Sequence, residues 1–421
     1  MSFATAYINK QKNFRLKVLD KPHPNLKYIV VIPCYYEFEL IKTLTSLWNS
    51  KRISAAVEVI IVINSSENTE LEIVEQNRKT YIEVKNWTAG HDDSMLRFFV
   101  INEENLPKKF AGAGLARKIG MDQALCRFNQ INQDKGIIIS LDADTVIKKN
   151  YFTELEKHFT RYPKTNVATI YFEHPVNGSE FSADTYEAIS IYELYLRYYK
   201  LALDYCGFPY ARYTVGSCFA VNAQAYAKQG GMNRKQAGED FYFLHKIFPL
   251  GNSHEINTTC VYPSSRPSNR VPFGTGPMVQ AISEKIKEEF LTYNFNAFGE
   301  LRYFFNEVKN LFGVSEEDLQ TILNRLPESV SDYLTRNDFE MAIVEINQNS
   351  SSIDTFTKRF YNWFDAFRIL KYLNFSHEKY FNKASLIVES RKLYQKITDK
   401  NLPEANPKEM LEEYRKLERN L

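Results

Sequence analysis

The amino-acid sequence predicts an α/β fold: a mostly parallel sheet flanked by helices, followed by an all-helical C-terminal module. Three observations carry that prediction. Apolar runs at residues 28–32, 58–63, 96–101 and 137–141 alternate with stretches of helical periodicity, the pattern of a parallel sheet built through right-handed crossovers. Apolar side chains from Ile137 to Leu141 fit a strand covered on both faces. Beyond about Gly276 strand patterning stops and only helical spacing remains.

Residues 1–25 are polar, with Pro22 and Pro24 close together, and are expected to form an irregular arm. Residues 26–275 carry the sheet and residues 276–421 the helical module. The first strand leads into a helix whose apolar face is Leu40, Ile41, Leu44, Leu47 and Trp48. The second is followed by a polar stretch with Asn64, Ser65, Ser66 and Asn68, then by a helix carrying Leu71 and Val74. A helix at 115–128, with Ile119 and Leu125 inward, joins the third strand to the fourth. A helix near 151–159 precedes a fifth strand at 167–172, and a longer helix covers about 183–203. Its Tyr192, Tyr195, Tyr199 and Leu203 lie near one face and are expected in a core.

In the C-terminal module Val279, Ile282, Ile286 and Phe290 have the spacing of one helix. Leu301, Phe304, Phe305, Val308 and Leu311 define another, stopping before Gly313. Ser315 with Asp318 has the form of a helix start. Phe356, Phe360, Trp363, Phe364, Phe367 and Leu370 predict a single, strongly aromatic helix face. Residues 408–421 read as a charged helix or frayed tail.

A chain of 421 residues is long enough for two domains. Its 53 basic and 51 acidic side chains leave a net charge of +2, which argues against nucleic acid as a partner and restricts charge effects to local patches. No apolar run is long enough to span a bilayer, which leaves peripheral membrane association open. The N-terminus has no secretory signal pattern. Cysteines 34, 126, 206, 218 and 260 are odd in number and lack metal-ligand spacing, so reduced thiols in a cytoplasmic protein are expected.

The fourth apolar run ends on two carboxylates, Asp142 and Asp144. Acids at the carboxyl end of a buried strand are costly unless a cation or donors compensate them, and that end of an open α/β sheet is where ligands bind. Such oxygen-rich sites suit Mg²⁺ or Mn²⁺ carrying a phosphate ligand. The competing reading is an acidic turn in which Asp144 or Thr145 caps the next helix.

Other loop motifs stand at comparable places. Pro33 turns the first strand outward, Tyr35 offers a face to a planar base, and Glu37 is placed to cap a helix or meet a ligand donor. Asn64 suits the edge of a base or ribose. Gly112 and Gly114 open a helix where Arg117 can supply charge for a phosphate, whereas Lys118 is expected on the surface. Glu239 and Asp240 begin a helix, either as dipole-favoured acids or as a carboxylate base. Arg266 and Arg270 are placed to close over a diphosphate.

Taken in order, Pro33-x-Tyr35-x-Glu37, Asn64, Ala116-Arg117, Asp142-x-Asp144, Gly216-Ser217, Gly230-Gly231-Met232 and Gly238-Glu239-Asp240 resemble a family 2-like glycosyltransferase of the GT-A (nucleotide-diphospho-sugar transferase) fold. The resemblance covers roughly residues 26–275. It implies a sugar-nucleotide donor, a UDP- or GDP-sugar, bound through Pro33, Tyr35, Glu37, Asn64, Arg117 and Asp142. It also implies a divalent cation, Mn²⁺ or Mg²⁺, on Asp144 and a catalytic base at Asp240, with Glu239 beside it. The acceptor is expected to be a saccharide, a lipid-linked sugar or a small molecule, and inversion is the expected outcome.

The chain departs from the family pattern in three places. Asn64 stands where many relatives carry Asp, Lys118 replaces the usual Asn after Ala-Arg, and no Gln-x-x-Arg-Trp segment follows the Gly-Glu-Asp cluster. Transfer of one or a few sugars is therefore expected, without polymer extrusion. Two alternatives compete. Asp142 and Asp144 also fit a haloacid-dehalogenase-like phosphatase, as nucleophile and general acid, although three strands precede them and the usual following Gly is missing. The other is a nucleotide-binding module without turnover.

Overall fold

The computed structural model describes residues 2–11, 14–91, 93–235, 238–268, 274–286, 288–402 and 404–420. The chain forms two compact units. One comprises Met1–Phe181, Tyr213–Met278 and Arg419–Leu421; the other comprises Ser182–Arg212 and Val279–Glu418. The long helix Ala183–Cys206 thus groups with the C-terminal helices, although sequence order places it among the strands.

The first unit is built on eight strands: β1 Leu26–Cys34, β2 Ala56–Ser66, β3 Leu96–Leu106, β4 Ile137–Ser140, β5 Thr145–Ile147, β6 Val167–Phe172, β7 Phe219–Asn222 and β8 Ser253–Pro263. Their order is β3-β2-β1-β4-β7-β6-β8-β5. The half β3-β2-β1-β4 is parallel throughout. β7 pairs antiparallel with β4 and β6, β6 pairs parallel with β8, and β5 pairs antiparallel with β8. Ile29, Val30, Val31 and Ile32 are fully buried in the middle of this sheet, each worth about 1.5–3 kcal/mol of transfer free energy.

This order sets the position of the site. From β1 the chain winds through β2 to β3 on one side, then returns to place β4 on the other side of β1. The carboxyl ends of β1 and β4 therefore flank a topological switch point, where no crossover covers the crevice. The pairing of β1 with β4 ends at Val31 and Ser140, after which the Leu141 N–H still donates to the Val31 carbonyl at 3.1 Å. Pro33 comes two residues past that contact, so its missing N–H costs the β4 side no ladder bond. The helix Ala113–Gln130 lies so close to β1 and β2 that a side chain at Gly120 would meet Val31 Cγ1 at 2.4 Å.

Several expectations are corrected here. The N-terminal arm contains a short helix, Thr5–Lys10, held because the Tyr7 hydroxyl donates to Asp122 at 2.7 Å. Leu71 starts its helix exposed; Asn77, Thr80 and Val84 form the inner face instead. Lys118 is buried, not solvated, because its ammonium donates to Asp122 at 2.8 Å and to Tyr7 at 2.9 Å. Neither Asp144 nor Thr145 caps a helix: Thr145 enters β5, and the next helix, Tyr151–Arg161, begins after Asn150.

In the second unit, Ser182 caps the long helix by accepting the Thr185 N–H, and Gly207 ends it in the left-handed region. Tyr192 is buried, and Tyr195 and Tyr199 pack on Phe290, Tyr293 and Phe298. Ile286 and Phe290 fall beyond the helix Thr275–Glu284, which ends early; residues 291–292 then pair antiparallel with residues 384–385. The expected single aromatic helix is two, Ile353–Trp363 and Ala366–Lys379, because Asp365 caps the second by accepting the Arg368 N–H at 2.9 Å. Phe360 and Phe364 still reach one core, with Phe304 5.3 Å from Phe364.

The helix Pro407–Arg419 is no frayed tail. Its Arg415 meets Glu193 at 2.8 Å, and its Glu418 meets Arg197, which also meets Glu193 at 2.7 Å. All four side chains are buried. Removing one partner leaves a charge without compensation, so Arg197→Met is expected to destabilise this unit by about 3–5 kcal/mol. A urea unfolding curve checks this; a loss below about 1 kcal/mol contradicts a network on which the helix depends.

Candidate active site

Of the expected site residues, Tyr35 and Glu37 follow β1, Asn64 lies near the end of β2, and Asp142 and Asp144 follow β4. Past β1, Tyr36 takes a left-handed conformation at φ 50°, with its N–H on the Asn77 side chain at 2.9 Å. That sharp turn brings the Glu37 carboxylate back over the start of the helix Leu40–Trp48, where it accepts the N–H groups of Phe38 and Glu39 at 2.9 and 3.1 Å. Tyr35 remains half-buried beside it. Asn64, at the end of β2, donates from Nδ2 to the Cys34 carbonyl at 3.1 Å and ties the two strand ends together. Its Oδ1 is buried without a hydrogen-bond partner among the described residues, an arrangement that native interiors rarely leave unexplained.

Asp142 and Asp144 lie in the turn after β4, which Thr43 pins by donating to the Ala143 carbonyl at 2.8 Å. Their side chains are 36% and 26% exposed, so both reach the crevice. Arg266 faces them from the segment after β8. Its guanidinium meets Glu37 at 2.5 and 3.2 Å and Asp144 at 3.2 Å. Arg270 lies outside the described residues.

Arg117 occupies the centre. Its Nη2 donates to Asp142 Oδ1 at 2.9 Å, its Nε to Glu239 Oε1 at 3.1 Å, and its Nη1 to the Gly216 carbonyl at 3.0 Å and to the Ser140 hydroxyl. Four of its five N–H donors are thus spent inside the protein, and the side chain is only 4% exposed. Burial opposes the charge, yet Asp142, Glu239 and Asp240 more than compensate and hold the guanidinium pKa above its usual value. The expected direct phosphate contact is therefore replaced by a bridge between two acid clusters.

Glu239 is buried against Arg117, whereas the neighbouring Asp240 is only half-buried. Burial, and then the charge of Glu239, push the Asp240 carboxyl up to about 7, against the pull of Arg117. Both acids open the helix Glu239–Ile247, which Gly238 enters at φ 68°. Gly216 explains how the two ends meet. A Cβ there would lie 2.8 Å from Arg117 Nη2 and 3.1 Å from Asp240 Oδ2, so the guanidinium and the carboxylate close over a position with no side chain.

Asp142 and Asp144 offer carboxylate oxygens to a cation, and the Arg266 guanidinium stands 3.2 Å from Asp144. Among the described residues no three His, Cys, Asp or Glu side chains form a metal cage. One or two part-exposed carboxylates, with water and phosphate oxygens completing the shell, are the usual hold on Mg²⁺ or a similar hard cation. His254 takes no part, since its Nδ1 meets Thr165 Oγ1 at 2.9 Å, and His245 stacks on Phe241.

Residues 29–230 match the family described as glycosyl transferase family 2. This segment is a family 2 glycosyltransferase domain. The match decides between the glycosyltransferase and phosphatase readings, and the sheet is the expected GT-A-like one. Asp240 and Arg266 lie beyond the matched segment. No curated protein sequence matches the chain significantly. Among solved structures, S. aureus TarS 1–349 in complex with UDP-GlcNAc is similar at 14% identity and TM-score 0.37, over 80% of this chain and 91% of that one. The same TarS segment without the sugar nucleotide is similar at 15% identity and TM-score 0.36, over 84% and 92%. No helix among the described residues is long and apolar enough to cross a membrane.

Sequence reasoning missed the roles of Ser140 and Gly216; the Gly-Ser pair at 216–217 was the available signal. Gly216→Ala is expected to lower glycosyl-transfer turnover by about 10- to 100-fold, since its methyl group separates Arg117 from Asp240. Steady-state kinetics with a circular-dichroism control check this, and unchanged turnover contradicts the close approach.

Proposed function

We propose that this glycosyltransferase moves a sugar from a nucleoside-diphosphate donor to an acceptor hydroxyl by single displacement, with Asp240 as the base and inversion at the anomeric carbon. One observation carries the reading: the acids of the strand-end crevice and the acids of the helix Glu239–Ile247 meet on one guanidinium, Arg117. A donor-side group and a base-side group thus lie within one side chain of each other, the proximity a displacement needs.

The base of the nucleotide lies by Tyr35, where Asn64 Oδ1 offers its unused acceptor to an N–H of the base edge. Asp142 stands towards the ribose and sugar. Asp144, with Asp142 nearby, would hold a divalent cation, Mn²⁺ or Mg²⁺, which when bound would supply Lewis-acid neutralisation of diphosphate charge. Arg266, already between Glu37 and Asp144, adds fixed positive charge at the same oxygens. Asp240 takes the proton of the attacking hydroxyl, while Glu239 serves as the counter-ion of Arg117.

The Asp240 carboxyl, raised to about 7, acts as a base only when ionised. Turnover should therefore fall as pH drops through about 7 and level off above it. Asp240→Asn should cost on the order of 10²–10⁴ in turnover while leaving donor affinity in place. Asp144→Ala should abolish the metal dependence of donor binding. A screen of UDP- and GDP-sugars by calorimetry, with and without Mn²⁺, checks the donor side. Asp144→Ala protein that keeps wild-type, metal-dependent affinity would sink the reading.

A further inference from the structure

The acceptor side of the crevice carries an electrostatic feature that donor binding does not use. Two segments lie beside the start of the helix Glu239–Ile247: residues 106–112, before the helix Ala113–Gln130, and residues 230–235. They run close together, since a Cβ added at Gly114 would come within 2.0 Å of the Lys235 carbonyl and 3.0 Å of Glu239 Cβ. Four exposed cations project from this pair of segments, Lys108, Lys109, Arg234 and Lys235, and the last three stand over aromatic rings. Lys109 and Arg234 sit over one ring, that of Phe110, at 5.5 and 5.9 Å from its centroid. Lys235 Nζ lies 3.1 Å from the centroid of Tyr242, two residues after Asp240.

Aromatic rings hold these cations without neutralising them. Two acids of the bordering helices are engaged elsewhere: Asp122 with Lys118 at 2.8 Å and Glu239 with Arg117 at 3.1 Å. Glu67 accepts the Lys108 backbone N–H at 3.1 Å. Among the described residues, none of the three cations has an ion-pair partner. The helix Ala113–Gln130 also begins with neither a side-chain cap nor an acid in its first turn, which adds the partial positive charge of its first-turn N–H groups. With a net charge of only +2 over the whole chain, this is a local feature and no general basicity.

We propose that the rim of Lys109, Arg234 and Lys235 selects an acceptor bearing an anionic group, phosphate or carboxylate, close to the hydroxyl that receives the sugar. The proposal rests on the reading of Asp240 as the base. An anionic acceptor approaching Glu239 and Asp240 meets like charge, and the rim offsets that repulsion on the side from which the acceptor enters.

The test uses the full chain and three fluorescent probes: short-chain polyphosphate, poly-L-glutamate and neutral dextran. Anisotropy titrations compare wild-type protein with Lys109→Glu/Arg234→Glu/Lys235→Glu at low and high ionic strength. Wild-type protein is expected to bind a polyanion, more weakly at high salt, and to leave dextran unbound. Tighter polyphosphate binding names phosphate as the group, and tighter polyglutamate binding names carboxylate. The triple variant is expected to lose affinity by about tenfold, with an unchanged thermal midpoint, and the corresponding triple Gln variant to fall between. Equal affinity in the triple variant, or no polyanion binding by wild-type protein, overturns the proposal. Metal-dependent binding of a nucleotide sugar by wild-type protein is read separately, and its absence counts against the transferase mechanism, not against the rim.

Discussion

The site depends on a buried guanidinium that belongs to two places at once. Arg117 meets Asp142 in the turn after β4 and Glu239 at the start of the helix Glu239–Ile247, at 2.9 and 3.1 Å. Breaking a buried pair by removing one partner is expensive, because the remaining charge stays out of water. Here one cation compensates three acids, so the position of each acid depends on the others. The β1–β4 switch point supplies the crevice, and Arg117 keeps the acids on its two walls in register. Gly216 follows from the same constraint, as a place where a side chain would force the charges apart.

The electrostatics divide the labour between neighbouring carboxylates. Glu239 is buried and ionically engaged, whereas Asp240 is left with a raised affinity for its proton. An environment that raises the proton affinity of one carboxyl in this way suits it to accept a proton. On the other wall, Arg266 links Glu37 to Asp144 and so ties the β1 turn to the segment after β8. Positive charge at the strand ends is thus shared between Arg117, fixed in the interior, and Arg266, nearer the surface.

Much of this was legible in the sequence because the signals were local. Strands under flanking helices carry mainly apolar residues, and the four runs that end at Ile32, Ile63, Ile101 and Leu141 became β1 to β4. Acids at a strand end point to a ligand crevice, and Asp142 and Asp144 lie there. What could not be read depended on distant partners. Lys118 is buried because Tyr7, 111 residues away, and Asp122 receive its charge. Arg117 turns inward because Gly216 and Glu239, 99 and 122 residues away, are brought against it. The break at Asp365 had a local cause, but a capping residue inside an unbroken aromatic period is easily overridden by that period. β5 is only three residues long, below the length at which alternation can be recognised.

The most direct test of the shared guanidinium is a carbon-13 NMR titration of the Asp240 carboxyl in wild-type protein and in Asp142→Asn. With Asp142 neutral, Arg117 has one acid fewer to balance and the like charge beside Asp240 disappears, so its titration midpoint should move down from about 7. A midpoint that stays in place when Asp142 is neutralised would mean that the two walls of the crevice are electrostatically independent, and the account would fail.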